Sequence, residues 1–265
     1  MAVICKSQAE IEKMRASGRI LRQVLDAVKL AVTPGVSTMD LEKVAEKKLR
    51  ELGGKSAFRG VKKPGARDYP NVLCTSVNDE IVHGIPSPER KLNEGDIVSI
   101  DCGVILDGYY SDSAITLAVG KVSEKAEKLL QVTEESLQKA IEQARAGNTL
   151  GDIGAAVQDL VEANGFSVVR ALCGHGIGRS LHEEPQIPNY GRPGYGMKLR
   201  PGMVLAIEPM VNTGRPEMVE LDDNWTAATE DGSLSAHFEH TVLVTDGDPE
   251  ILTWLRKSPY ESRAR

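Results

Sequence analysis

Residues 91–101 read K-L-N-E-G-D-I-V-S-I-D, and residues 198–208 read K-L-R-P-G-M-V-L-A-I-E. Lys, Leu, Gly and Ile match in place, and both segments end in an acid. His-Gly-Ile precedes each copy, at 83–85 and 175–177. A capped helix precedes each copy as well. Ser37 with Asp40 opens the first and Gly53 ends it; Thr149 with Asp152 opens the second and Gly165 ends it. Four matches in the same order describe two αβ halves of related fold, roughly 7–120 and 121–255, within a single domain over 1–265. A pseudo-twofold arrangement would bring the two strands face to face.

The first copy runs on into a hairpin. Residues 96–118 read as two strands joined at Asp107-Gly108, a dipeptide suited to a two-residue turn with positive φ. With that turn Leu106 pairs with Tyr109, Gly103 with Asp112, and Asp101 with Ala114. Side chains alternate faces along a strand. Val98, Ile100, Cys102, Val104, Ile115 and Leu117 therefore share an apolar face. Asp101 and Asp112 lie on the other face as diagonal neighbours, about 7–8 Å apart at the backbone. Two carboxylates aimed at one spot repel unless a proton or a metal ion sits between them.

The repeat supplies further acids. Glu208 stands where Asp101 stands. Asp112, on the return strand of the first hairpin, predicts an acid on the return strand of the second, and Glu239 in S-A-H-F-E-H-T-V-L-V-T is the candidate. His175 adds an imidazole from a glycine-flanked segment, held by a flexible backbone. One shared proton cannot neutralise four acids in one cavity, and each uncompensated buried carboxylate costs several kcal/mol. Two divalent cations bridged by carboxylates satisfy such a site. Carboxylate-rich ligation with one imidazole favours Mn, Fe or Co over a thiolate-selecting metal. The reaction class is metal-assisted hydrolysis of an amide or ester. His182 and His83, near matching parts of the two halves, are expected to line the cavity as proton donors or substrate contacts. His240 is turned away by strand alternation, whereas His237 shares the face of Glu239.

Bulk properties narrow the class. The net charge of −6 argues against a nucleic-acid-binding surface. No apolar run approaches the roughly 18 residues of a membrane span, and the N-terminus has no signal-peptide pattern. Cys5, Cys74, Cys102 and Cys173 lack C-x-x-C spacing, which suits free thiols in a reducing compartment. A soluble, cytoplasmic protein is expected. Ser7-Gln8-Ala9-Glu10 is a capping box that opens a helix with the stripe Ile11, Met14, Ile20, Leu21, Val24, Leu25 and Val28.

At this point the chain resembles the type I methionine aminopeptidases of the bacterial kind. The matching stretches are N-D-E-I-V-H-G-I-P (78–86), I-D-C-G-V-I-L-D-G-Y-Y-S-D (100–112), G-H-G-I-G-R-S-L-H (174–182), I-E-P (207–209), W-T-A-A-T-E-D-G-S-L-S-A (225–236) and F-E-H-T (238–241). The resemblance implies an α/β (α+β) pita-bread fold, two pseudo-twofold αβ halves around a central antiparallel sheet, forming a single catalytic domain. It implies removal of the initiator methionine from nascent polypeptides when the next residue is small. By position, Asp101, Asp112 and Glu239 would hold one divalent ion, and Asp112, His175, Glu208 and Glu239 the other, as Fe(II), Mn(II) or Co(II). His182 would contact substrate and stabilise the tetrahedral intermediate, His83 would sit near the scissile bond, and Glu208 would carry a proton. Tyr69, Cys74, Leu181 and Trp225 match a methionine pocket, whose soft apolar walls suit a thioether. Asn78 and Ser235 resemble positions around a monovalent cation. A monomer that visits the ribosome transiently is implied, with no nucleic-acid site and no membrane contact.

Three positions depart from that pattern. Leu172 and Leu181 stand where aromatics are common, and His237 replaces a usual glutamine. None removes a metal ligand, so a binding protein that has lost its metals is the weaker reading. A proline-directed peptidase of the same fold usually carries a large extra N-terminal domain, for which the roughly seventy residues ahead of the catalytic half are too few. The segment between Glu208 and Glu239 is short for a type II insertion. No basic zinc-finger-like extension or transit peptide is seen, as expected of a bacterial or organellar short form.

Overall fold

The computed structural model describes residues 3–254. The charged segment after Leu255, whose composition predicts fraying, lies outside them. Four helices and two hairpin systems make the two halves. Helix α1, Gln8–Ala31, opens on the Ser7/Glu10 capping box and buries Ile11, Met14, Leu21, Val24, Leu25 and Val28. Helix α2, Thr38–Glu51, opens on Ser37 and Asp40 and buries Leu41, Ala45 and Leu49. Both pack over a sheet built on strand Ile97–Leu106, flanked by Leu73–Val77 on one side and Tyr109–Ala118 on the other. In the second half, α3 (Glu124–Gln143) and α4 (Leu150–Ala163) cover strands Val204–Ile207 and His240–Leu243. These belong to a five-stranded sheet with Cys173–Gly176, Glu183–Pro188 and Glu250–Ile251. Each half has its own apolar core, and a third cluster lies between them. No helix among the described residues is long and apolar enough to cross a membrane.

The first hairpin has the expected register, with Leu106 opposite Tyr109, Gly103 opposite Asp112 and Asp101 opposite Ala114. Asp107 and Gly108 both take positive φ, 50° and 78°, which a two-residue primed turn requires. The internal repeat is written in backbone hydrogen bonds. Gly35 N–H donates to Leu92 O, and Gly147 N–H to Leu199 O. Gly95 N–H donates to Val119 O, and Gly202 N–H to Val244 O, both at 2.9 Å. Single bridges join Ser37 to Lys91 and Thr149 to Lys198. The shared K-L-x-x-G letters mark one tight strand entry used twice, and its glycine sits at φ 96° and 86°.

The halves meet along a pseudo-dyad. Ala114 and Glu239 exchange N–H to O bonds at 3.4 and 2.9 Å. On one side, the Thr241 hydroxyl accepts from Asp112 N–H at 2.9 Å and donates to Asp112 O at 2.8 Å. On the other, the Thr116 hydroxyl accepts from His237 N–H at 2.9 Å and donates to His237 O at 2.7 Å. This register corrects the expected symmetry of the acids. Ile100 faces Ile115 where Ile207 faces His240, so the counterpart of Asp112 is His237, and Glu239 corresponds to Ala114. Glu208 and Glu239 stand opposite each other, between the Ile207–His240 and Met210–His237 pairs. Pro209 has no N–H to give the ladder, and the strands part there. Strand Val204–Ile207 accordingly stops just before Glu208, and Ser235–His237 is separated from His240–Leu243 by Phe238 and Glu239.

Thr241→Val removes the hydroxyl that ties both backbone groups of Asp112 across the seam. The expected loss is about 1–3 kcal/mol, read as a lower urea midpoint at unchanged slope. An unchanged midpoint would show that the seam does not depend on this bond.

Candidate metal centre

The seam gathers the acids in one place. Asp101 and Asp112 come from the first hairpin, and Glu208 and Glu239 from the gap in the second. His175 comes from strand Cys173–Gly176, paired through Ala206 to Val204–Ile207. One ligand atom each from Asp112, His175 and Glu239 lies within 4.8 Å of the others. His175 Nε2 is 3.6 Å from Glu208 Oε1. The Nδ1 of His175 lies 2.9 Å from Gly176 O, which assigns the proton to Nδ1 and leaves the Nε2 lone pair facing the acids. The glycines beside His175 are there for close approach rather than flexibility. A Cβ on Gly174 would meet Ala206 O at 2.3 Å, and one on Gly176 would meet Glu184 O at 2.1 Å.

Burial dominates the electrostatics. It pushes Asp101 up to about 7 and Glu208 up to about 8. Burial first, then repulsion from the neighbouring acids, holds Asp112 and Glu239 well above the carboxylate range. Burial also pushes His175 down to about 3 and His83 down to about 4, so both imidazoles are neutral at pH 7. Asp101 Oδ1 and Glu239 Oε1 are buried without any hydrogen-bond partner. Orphaned carboxylate oxygens beside a bare imidazole nitrogen are the donor set of a divalent cation site. Burial raises the thiols of Cys74, Cys102 and Cys173, and none of the three joins the Asp112, His175 and Glu239 cluster. The residues present therefore fit divalent metal ions.

Beside the acids lies a cavity of about 140 Å³ whose walls include Phe58, Val61, Tyr69, Cys74, Leu181 and Trp225. Its aromatic residues spend their polar atoms outward. Tyr69 O–H donates to Leu73 O or Gly84 O, at 2.9 and 3.0 Å, and Trp225 Nε1–H donates to Arg67 O at 2.8 Å. The wall facing the cavity is left apolar. The rings of Tyr69 and Trp225 meet edge to face at 5.1 Å. His182 stands edge to face on His175 at 4.5 Å between ring centres, and His83 on Trp225 at 6.3 Å. His83 takes φ 63°, a strained position for a non-glycine residue. A second, wider cleft of about 370 Å³ opens past the acids, bounded by Leu172, Cys173, Gln186 and Met210, and it shares His83, His182, His175 and Glu208 with the first.

Several contributors carried no local signal in the sequence. Phe58 and Val61 reach the pocket from a loop otherwise rich in Gly, Lys and Pro. Glu183 holds the loop bearing Leu181 and His182, accepting from Arg179 N–H at 2.7 Å and Ser180 N–H at 3.2 Å. Its other oxygen receives the buried Lys6 Nζ at 2.7 Å. Asn78 and Ser235 lie together but outside both cavities, with Ser235 N–H donating to Asn78 O at 2.8 Å. His240 faces away, as alternation requires, with Nδ1 2.9 Å from Thr253 Oγ1.

A family model described as metallopeptidase family M24 matches residues 12–246. A methionine aminopeptidase of Clostridium perfringens is 50% identical over 254 residues, covering 96% of this chain and all of that protein. Methionine aminopeptidase 1 of Bacillus subtilis is 47% identical, covering 95% and 99%. The crystal structure of a methionine aminopeptidase from Thermotoga maritima superposes with a TM-score of 0.93 at 45% identity, covering 96% of this chain and 100% of that one. A prolidase of Pyrococcus horikoshii shares the fold at a TM-score of 0.73 and 23% identity, but only 65% of its length is covered.

A cation needs these ligands deprotonated, so its binding displaces protons. Titrating chelator-stripped protein with Mn²⁺ at pH 7, in buffers of different ionisation heat, is expected to show proton release. The raised pKa values of Asp101 and Glu208, about 7 and about 8, lie above the usual 4 or so of an unfolded chain. Their contribution to stability is present at low pH and is lost as the pH rises. The depressed histidines oppose this only below about 6.5, their unfolded value. Stripped protein should therefore lose stability between about pH 6.5 and 8, and Mn²⁺ should reverse the loss. A flat profile with no proton release would contradict the buried-acid account.

Proposed function

We infer that this chain, which belongs to metallopeptidase family M24, is a methionine aminopeptidase like the relatives 50% identical to it over nearly its whole length. It removes the initiator methionine from nascent polypeptides whose second residue is small. The carrying observation is the position of the carboxylate and imidazole cluster beside an apolar cavity walled by Tyr69, Cys74, Leu181 and Trp225. A thioether side chain fits such a wall, with no charged partner to satisfy.

Asp101, Asp112 and Glu239 would hold one divalent ion, and Asp112, His175, Glu208 and Glu239 would hold the second, as Fe(II), Mn(II) or Co(II). When bound, such ions supply a water of lowered pKa and polarise the scissile carbonyl. The chain's own residues do the rest. Glu208 takes a proton from the attacking water at its carboxylate and returns it to the leaving amine. Burial keeps His182 neutral, so it donates a hydrogen bond to the carbonyl oxygen as charge develops there. His83 lies beside the scissile bond. Both histidines border the pocket and the wider cleft, so the residue after methionine would lie where the two meet. Asn78 and Ser235 flank a monovalent-cation position away from the reaction. The protein works as one catalytic domain, a cytoplasmic monomer that meets its substrates at the ribosome.

Asp112→Ala is expected to lower kcat/KM by roughly 100-fold or more, with the circular dichroism spectrum retained. Full activity in that variant would remove the dinuclear reading. The substrate assignment is tested by hydrolysis of Met-Ala-Ser against Ala-Pro-Ser, after chelation and re-addition of Mn²⁺, Fe²⁺ or Co²⁺. Cleavage of the methionyl peptide is expected; cleavage of the prolyl peptide alone would make the protein a proline-directed peptidase.

A further inference from the structure

His237 is 2% exposed, and neither of its ring nitrogens has a hydrogen-bond partner. Its Nε2 lies 3.6 Å from Oε2 of Glu208, while Nε2 of His175 lies 3.6 Å from Oε1 of the same carboxylate. Glu208 is thus flanked by two imidazoles, one on each oxygen. The two rings are not equivalent. His175 spends its Nδ1–H on Gly176 O and offers a lone pair. His237 has no partner on either nitrogen and remains free to offer a proton.

The backbone of His237 is fixed. The Thr116 hydroxyl ties both its N–H and its carbonyl, at 2.9 and 2.7 Å, and the ring stands at the pseudo-symmetric position of Asp112. Leaving a buried polar group unpaired costs about 1–3 kcal/mol, and folded proteins pair nearly all of them. The carboxylate oxygen within ion-pair distance of Nε2 is Oε2 of Glu208; the Asp101 carboxylate, which also acts on the ring, lies beyond it. Closing 3.6 Å to a charge-assisted bond of about 2.8 Å takes a small rotation of the glutamate side chain.

We propose that His237 is a positioning residue that donates Nε2–H to Oε2 of Glu208, holding the glutamate so that Oε1 and His175 Nε2 together face the cation. The inference rests on Glu208 being a metal ligand, as proposed above. A ligand carboxylate anchored at its far oxygen loses less rotamer freedom on binding, and such outer partners are typically worth 10–100-fold in metal affinity.

The test is calorimetric titration of chelator-stripped protein with Mn²⁺, in wild type, His237→Leu, His237→Gln, Glu208→Gln and the His237→Leu/Glu208→Gln double variant. His237→Leu should weaken Mn²⁺ binding by about 10–100-fold. His237→Gln, which keeps an N–H donor, should restore most of that affinity. In the Glu208→Gln background, His237→Leu should have a much smaller further effect, because the amide oxygen no longer offers a charged acceptor. Wild-type affinity in His237→Leu, or an undiminished effect in the Glu208→Gln background, would overturn the proposal while leaving the metal site intact. Wild-type affinity in Glu208→Gln would overturn the ligand reading and the proposal together. A second measurement needs no variant and so survives a folding failure of His237→Leu. The chain has only five histidines, so ¹⁵N shifts of histidine-labelled, Zn²⁺-loaded wild type resolve each tautomer. Nε2–H is expected at His237, and a bare Nε2 there would overturn the proposal.

Discussion

The repulsion among four buried acids is the constraint on which the rest of the structure depends. Asp101, Asp112, Glu208 and Glu239 meet at the seam between the two αβ halves. Neither half alone concentrates so much negative charge. The seam is closed by neutral bonds, the Ala114–Glu239 exchange and the Thr116 and Thr241 bridges, which hold the acids together without neutralising them. No lysine or arginine among the described residues pairs with any of the four; only histidines approach, His175 and His237 at Glu208 and His175 also beside Asp112 and Glu239. The charge that completes the site must come from outside the chain, which is how a metal-dependent enzyme couples its cofactor to its fold.

Around that centre the scaffold is rigid. The apolar face of the first hairpin belongs to the core under α1 and α2, so its acidic face cannot slip by a residue without turning the whole strand over. The glycines on either side of His175 press against Ala206 O and Glu184 O and admit no Cβ. The loop carrying His182 is clamped by Glu183 and Lys6. Preorganisation of this kind lets side chains act on a substrate without first reorganising.

Much of this was legible in the sequence, for physical reasons. The first hairpin could be read because strand alternation and an Asp-Gly turn leave one register open. The two halves could be read because a tight strand entry demands the same glycine twice. The exact symmetry of the acids could not. Pro209 opens the second ladder, so the partner of Glu208 appears directly opposite as Glu239, and His237 takes the place that matches Asp112. Lys6, Phe58 and Val61 were missed because each reaches the site from far along the chain, with no periodic pattern to mark it. The flanking glycines of His175 suggested freedom, whereas packing shows them to be the tightest approaches around it.

The central claim is that two divalent cations complete the acid cluster. Crystals soaked in Mn²⁺ and measured at the manganese absorption edge test it directly. The account predicts two anomalous peaks per chain, roughly 3.5–4 Å apart, one among Asp101, Asp112 and Glu239 and one among Asp112, His175, Glu208 and Glu239. Soaked crystals with no peak at the seam, or with manganese only elsewhere, would contradict it.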